Sequence, residues 1–159
     1  MVTLTFAPSP LLYCHHVAMP ALSPLLYAEP RHRRAMHAAA LLIFACIVIA
    51  GSVPGARAEV GEYASGIVLH SLAYAGLATL WFLGSTGSTL QRALKAVLAI
   101  ALMGAFDEGV QHFLPYRSGT VRDWLVDVSA ATVAATALGA LLARIPMPQA
   151  SGRNPARPG

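Results

Sequence analysis

Asp107, Glu108, Gln111, His112, Arg117, Arg122, Asp123 and Asp127 fall within one stretch, DEGVQHFLPYRSGTVRDWLVD, which holds four of the chain's seven acidic residues. Neighbouring carboxylates beside guanidinium groups offer two kinds of chemistry. An acid of raised proton affinity can serve as general acid or base while an arginine stabilises developing negative charge. Alternatively, the arginines can grip a phosphate or carboxylate through paired hydrogen bonds. A metal bridging Asp107, Glu108, His112 and Asp127 is a third arrangement, but oxygen-rich clusters at this spacing are common without one. The expectation is therefore no metal and no cofactor. No GxSxG, HExxH or P-loop pattern occurs, so the residues name no reaction class.

The cluster is informative because of what surrounds it. The chain is 56% hydrophobic and only 11% charged, with a mean hydropathy of +0.58 over 159 residues. Such a composition is too apolar for a soluble domain of this length and fits a small polytopic membrane protein. Charge next to a bilayer core is costly unless paired, hydrated or used. The formal charge of +4 does not point to nucleic acid, because the basic residues lie at segment ends without an aromatic or glycine-rich RNA-binding pattern. Cys14 and Cys46 show neither a disulfide framework nor thiolate metal spacing.

The elements that must position the cluster are four apolar segments, at about residues 37–53, 64–84, 92–113 and 121–144. Each is long enough to cross a hydrocarbon core of about 30 Å at 1.5 Å per helical residue. The predicted fold is all-α, a four-helix transmembrane bundle over residues 37–144, with disordered extensions over 1–35 and 146–159. The N-terminal extension contains SPLLY twice and five prolines, which exclude a spanning helix there. A disordered extension is the plain explanation, and an over-long start is the alternative, since Met19 and Met36 also lie ahead of or at the first segment. The first segment also has the layout of a secretory signal, with Ala56-Arg57-Ala58 as a cleavage site, but its apolar run is long for one.

Lysine and arginine set the expected orientation. Arg31, Arg33, Arg34, Arg92, Lys95, Arg144, Arg153 and Arg157 mark one side, which places both termini in the cytoplasm. Arg57, Glu59 and Glu62 and the charged cluster then face outward, and Arg117 and Arg122 run against the bias, as if held by acids or by an anionic ligand. His70, Asp107, Glu108 and Asp127 fall at similar depth below that outer boundary. His70 with Tyr74, Asp107 with Gln111, Glu108 with His112 and Asp123 with Asp127 are spaced four apart, so each helix presents a polar face. Thr120 and Asp123 have the form of a capping box. Ala131, Ala135, Gly139 and Ala143, widened by Ala130 and Ala134, form a small-residue stripe for close packing, and Gly66, Ala73 and Gly76 play the same part earlier.

The cluster resembles the signature of the VanZ-like family of small membrane proteins at Asp107, Glu108, Gln111, Phe113, Pro115, Arg117, Asp123 and Asp127. The segment GIVLHSLAYAGLA is similar to that family's second helix, with His70 and Tyr74 four apart, and the likeness covers about residues 37–144. Two positions depart from the pattern: Ser65-Gly66 stands near where an Asp-Lys pair is common, and Ala131 where a glycine often follows. The resemblance implies an integral membrane protein of the cell envelope, linked through the family's name to low-level resistance to a glycopeptide antibiotic. It implies no particular reaction.

Three functions fit these residues. The pocket of His70, Tyr74, Asp107, Glu108, Gln111, His112, Arg117, Arg122, Asp123 and Asp127 binds an anionic or lipid-linked envelope component. The same pocket is catalytic, with Glu108 or Asp107 as the acid or base of a hydrolase or transferase. In the third, the cluster is an ion-pair network serving only structure or assembly.

Overall fold

The structure, a computed structural model, describes residues 29–56 and 65–144. Four helices account for nearly all of them: α1 (Pro30–Gly51), α2 (Gly66–Gly84), α3 (Thr89–His112) and α4 (Val121–Ala143). The expected helix order and approximate bounds hold, with one clear extension. Residues 30–35, expected to be part of a disordered segment, form the first turns of α1. Pro30 at the first helical position explains the early start, because its fixed φ suits a helix and its missing N–H is one the first turn cannot use. The SPLLY copies, the Ala56-Arg57-Ala58 site beyond Ala56, Glu59, Glu62 and the tail from residue 145 lie outside the described residues.

Caps define the other helix starts. Ser65 accepts from the Val68 amide at 3.4 Å, and Ser88 and Gln91 form a reciprocal capping box at the start of α3. The α2–α3 turn is short, and Gly87 has φ +110°, a left-handed conformation that a side chain would strain. Arg92 departs from its expected place in a cytoplasmic loop. It lies in the first turn of α3, buried, with Nε donating to the Phe82 carbonyl at 3.0 Å and the guanidinium over the Phe82 ring. It thereby satisfies a C-terminal carbonyl of α2. Lys95 does likewise for Thr86 at 2.9 Å.

α4 packs against both α2 and α3, and α1 lies mainly against α2. Tyr74, Leu77, Ala78, Ile100, Met103 and Ala131 form the central core with Ala40, and Phe82, Ala96 and Ala135 form a second layer. The α4 stripe holds as a packing surface at Ala131 and Ala135, and Gly139 sits against Thr89 of α3. It ends there, because Ala143 is exposed. Gly76 is also exposed, contrary to its expected packing role. At 100° per residue it lies on the far side of α2 from Tyr74, Leu77 and Ala78, the face that is buried.

α1, α2 and α4 are long and apolar enough to cross a membrane, and the described residues form helices without strands. The architecture is that of a multi-pass helical membrane protein. On α3, Leu90, Leu94, Leu98, Leu102 and Phe106 repeat every four residues and are 59–68% exposed. An exposed apolar ridge of that length is a surface for lipid or for a partner helix. Gly84 lies against His37 and the Arg33 carbonyl, and Gly139 against Thr89, so the start of α1, end of α2, start of α3 and end of α4 share one end. Arg31, Arg33, Arg34, Arg92, Lys95 and Arg144 gather there. The acidic cluster lies at the other end.

Candidate functional site

His70 is the fifth residue of α2, Asp107 and Glu108 lie about one and a half turns from the end of α3, and Asp127 is the seventh residue of α4. At 1.5 Å per residue each stands about 6–9 Å inside its helix end, so their side chains meet in one layer. Asp107 is 2% exposed, Glu108 8%, Gln111 3% and Asp127 0%, which makes this a buried polar layer rather than a surface patch.

The bonds within the layer are specific. His70 Nδ1 donates to Asp127 Oδ1 at 2.9 Å, and the Tyr74 hydroxyl donates to Asp107 Oδ2 at 2.9 Å. The His70 and Tyr74 rings, one turn apart, lie nearly parallel with centroids 5.8 Å apart. Glu108 Oε2 accepts from the Thr120 amide at 2.6 Å. Thr120 Oγ1 in turn caps the Asp123 amide at 3.1 Å. Only half of the anticipated capping box is therefore made locally, since the N-cap amide goes to a carboxylate on α3 instead of to Asp123. Two oxygens, Glu108 Oε1 and Asp127 Oδ2, are buried and have no hydrogen-bond partner.

Arg117 lies near this layer but pairs with no carboxylate among the described residues. Its Nη2 donates to Gln111 Oε1 at 2.7 Å, so the expected acidic or ligand partner is replaced by a buried amide. Its loop is also tied to the end of α1, where the Tyr116 hydroxyl donates to the Ser52 carbonyl at 2.5 Å. His112 is exposed, with its ring against Phe113, and stands apart from the acids. Arg122 is exposed at the start of α4, and Asp123 is half-buried.

Close backbone approach makes the layer possible. A Cβ on Gly104 would meet Asp127 Oδ2 at 2.9 Å and Trp124 at 3.2 Å, and a Cβ on Gly119 would collide with the Glu108 backbone carbonyl. Trp124 fastens α4 to α3 through its indole N–H on the Ala101 carbonyl at 2.9 Å. The sequence marked Gly119 only as a break ahead of the fourth helix, and it did not single out Gly104 or Trp124. A glycine three residues before Asp107 and a tryptophan three before Asp127 were the available signals, but helical spacing alone does not reveal which helix they face.

A separate groove of about 790 Å³ runs between α2 and α4. Ile67, Ser71 and Ala75 form one wall and Leu125, Val126, Ser129 and Ala130 the other, with Arg122 the first lining residue along α4. The buried acids do not line it. Chemically, the bundle thus combines a buried polar layer with an apolar groove that has one guanidinium in its lining. No family model matches the chain, and no curated protein or solved structure does.

Proposed function

We propose that this protein is a four-span membrane protein of the cell envelope that holds an anionic amphiphile, a lipid or lipid-linked envelope component, in the groove between α2 and α4. The apolar groove with Arg122 as the one charged residue of its lining is the observation that carries this reading. From Arg122 to Ala134 the groove wall runs twelve residues along α4, about 18 Å, which is the depth of one bilayer leaflet. Apolar walls suit an acyl or prenyl chain. A guanidinium at leaflet depth suits a phosphate or carboxylate headgroup. Of the two arginines expected to bind an anion, Arg117 is engaged by Gln111, which leaves Arg122 as the headgroup partner.

α3 is the fourth span in this reading. Its Leu90-to-Phe106 ridge faces lipid, while Arg92, Asp107 and Glu108 are buried in the bundle. The arginine-rich end is cytoplasmic by the positive-inside rule, so both termini are inside and the groove opens in the outer leaflet. The resemblance to the VanZ-like family at Asp107, Glu108, Gln111 and Asp127, all of them buried, extends the proposal to modulation of glycopeptide susceptibility.

The test is lipid retention by the purified protein, read by native mass spectrometry in a mixture of phosphatidylglycerol and phosphatidylcholine. The wild type is expected to prefer the anionic lipid, and Arg122→Ala to lose that preference by about tenfold or more, the scale of a charge-assisted hydrogen bond. Equal retention of both lipids by the wild type would sink the proposal. A second reading is favoured by the closed bonding of Tyr74 to Asp107, His70 to Asp127 and Thr120 to Glu108, in which the polar layer serves only to hold the helices together. Under that reading Arg122→Ala changes neither lipid selectivity nor any envelope phenotype.

A further inference from the structure

We infer that His70, Glu108 and Asp127 form a binding site for a divalent first-row transition metal ion, with zinc the best match to the donor set. One ligand atom from each of the three residues lies within 4.8 Å of the others. This set differs from the one that sequence spacing suggested: His70 enters from α2, while His112 is exposed and Asp107 is taken by the Tyr74 hydroxyl. The inference stands independently of the lipid groove, whose lining excludes all three residues.

Hydrogen bonding divides each carboxylate into a held oxygen and a free one. Glu108 Oε2 is held by the Thr120 amide and Asp127 Oδ1 by His70 Nδ1, while Glu108 Oε1 and Asp127 Oδ2 are buried with no partner. The Thr120 bond is an outer contact of the kind that orients a ligand around a metal. His70 Nδ1 and Asp127 Oδ1 stand 2.9 Å apart, so an ion shared by the two residues would take the place of the proton on Nδ1, the ring nitrogen that faces Asp127.

Charge favours the same conclusion. Glu108 and Asp127 are at most 8% exposed, and among the described residues no lysine or arginine forms an ion pair with either. Two buried carboxylates that share no counter-charge but a protonated His70, which faces Asp127, are costly. A divalent ion with neutral His70 cancels them. One imidazole nitrogen and two carboxylate oxygens suit zinc, manganese or ferrous iron better than calcium or magnesium, which take oxygen donors. Tetrahedral zinc with ligands at about 2.0–2.2 Å brings donors to about 3.4 Å from one another. Donors already within 4.8 Å of one another, with His70 Nδ1 and Asp127 Oδ1 at 2.9 Å, would draw in by about an ångström at the widest pair to reach that size, leaving a fourth position for water or an anion.

The experiment uses the full chain, purified in detergent and stripped with a chelator, titrated with Zn2+ alone by calorimetry. One ion per chain is expected. Glu108→Gln and His70→Ala should each weaken binding about tenfold to a hundredfold, whereas His112→Ala should bind as the wild type does. Co2+ bound to the wild type should show visible bands of a four- or five-coordinate ion with imidazole donation, a readout that does not depend on the variants folding. Absence of stoichiometric binding by folded wild-type protein overturns the inference. So does binding that survives both Glu108→Gln and His70→Ala, or a cobalt spectrum of six-coordinate, solvent-like geometry.

Discussion

A carboxyl group shut away from solvent needs a donor, and Asp107 obtains one from the Tyr74 hydroxyl at 2.9 Å. Removing that hydroxyl while keeping the ring leaves Asp107 Oδ2 unsatisfied at 2% exposure. Tyr74→Phe should therefore destabilise the protein by about 1–3 kcal/mol, seen as a lower thermal unfolding midpoint in detergent. An unchanged midpoint would show that the bond contributes nothing net. At this scale the sequence was partly legible. Depth along each helix follows from counting residues, which is why His70, Glu108 and Asp127 were expected in one layer. Which acid takes which donor was not legible, because that depends on helix rotation and side-chain rotamer. Thr120 shows the limit: a local motif offered Asp123 as the partner of its amide, and Glu108, twelve residues away on another helix, took it. Arg117 shows it again, since nearby acids suggested an ion pair and the buried amide of Gln111 has the better geometry.

Small residues on the helices look alike in sequence and differ in what they face. A methyl group added at Gly84 would meet the His37 ring at 2.9 Å and the Arg33 carbonyl at 3.1 Å, so Gly84→Ala must push α1 away from α2. We expect a loss of about 1–3 kcal/mol, the usual cost of overpacking a close helix contact, measured by reversible unfolding in mixed detergent. Gly76→Ala meets nothing within 4 Å. It should be neutral or stabilising by up to about 1 kcal/mol, since alanine is the better helix former. If the two variants behave alike, the α1–α2 packing described above is wrong. Element type and order were readable because each span is a long apolar run bounded by Gly, Pro or Ser. Helix ends were less so: Pro30 extends α1 into a basic stretch that hydropathy alone assigns outside it.

For the molecule as a whole, the helices sort charge to two ends and cover the middle with exposed leucine, isoleucine and valine. Reporter fusions after Arg144 and ahead of Arg31 should both be active in the cytoplasm, and a fusion within the 113–120 loop should be active outside. Opposite locations for the two terminal fusions would contradict an even number of spans. The succession of apolar helices was legible from composition. The groove was not, because its walls depend on which faces of α2 and α4 are turned toward each other.

The brief turn from Ser85 to Ser88, stapled by Arg92 to Phe82 and by Lys95 to Thr86, bears on biogenesis. With α3 as the proposed fourth span, the four intervening residues let α2 and α3 enter the insertion channel side by side as a helical hairpin. The more ionisable partner can then be carried across by the greasier one, its arginine already seated on a neighbour's backbone. Lengthening that connection should strand α3 outside the lipid while α2 still inserts.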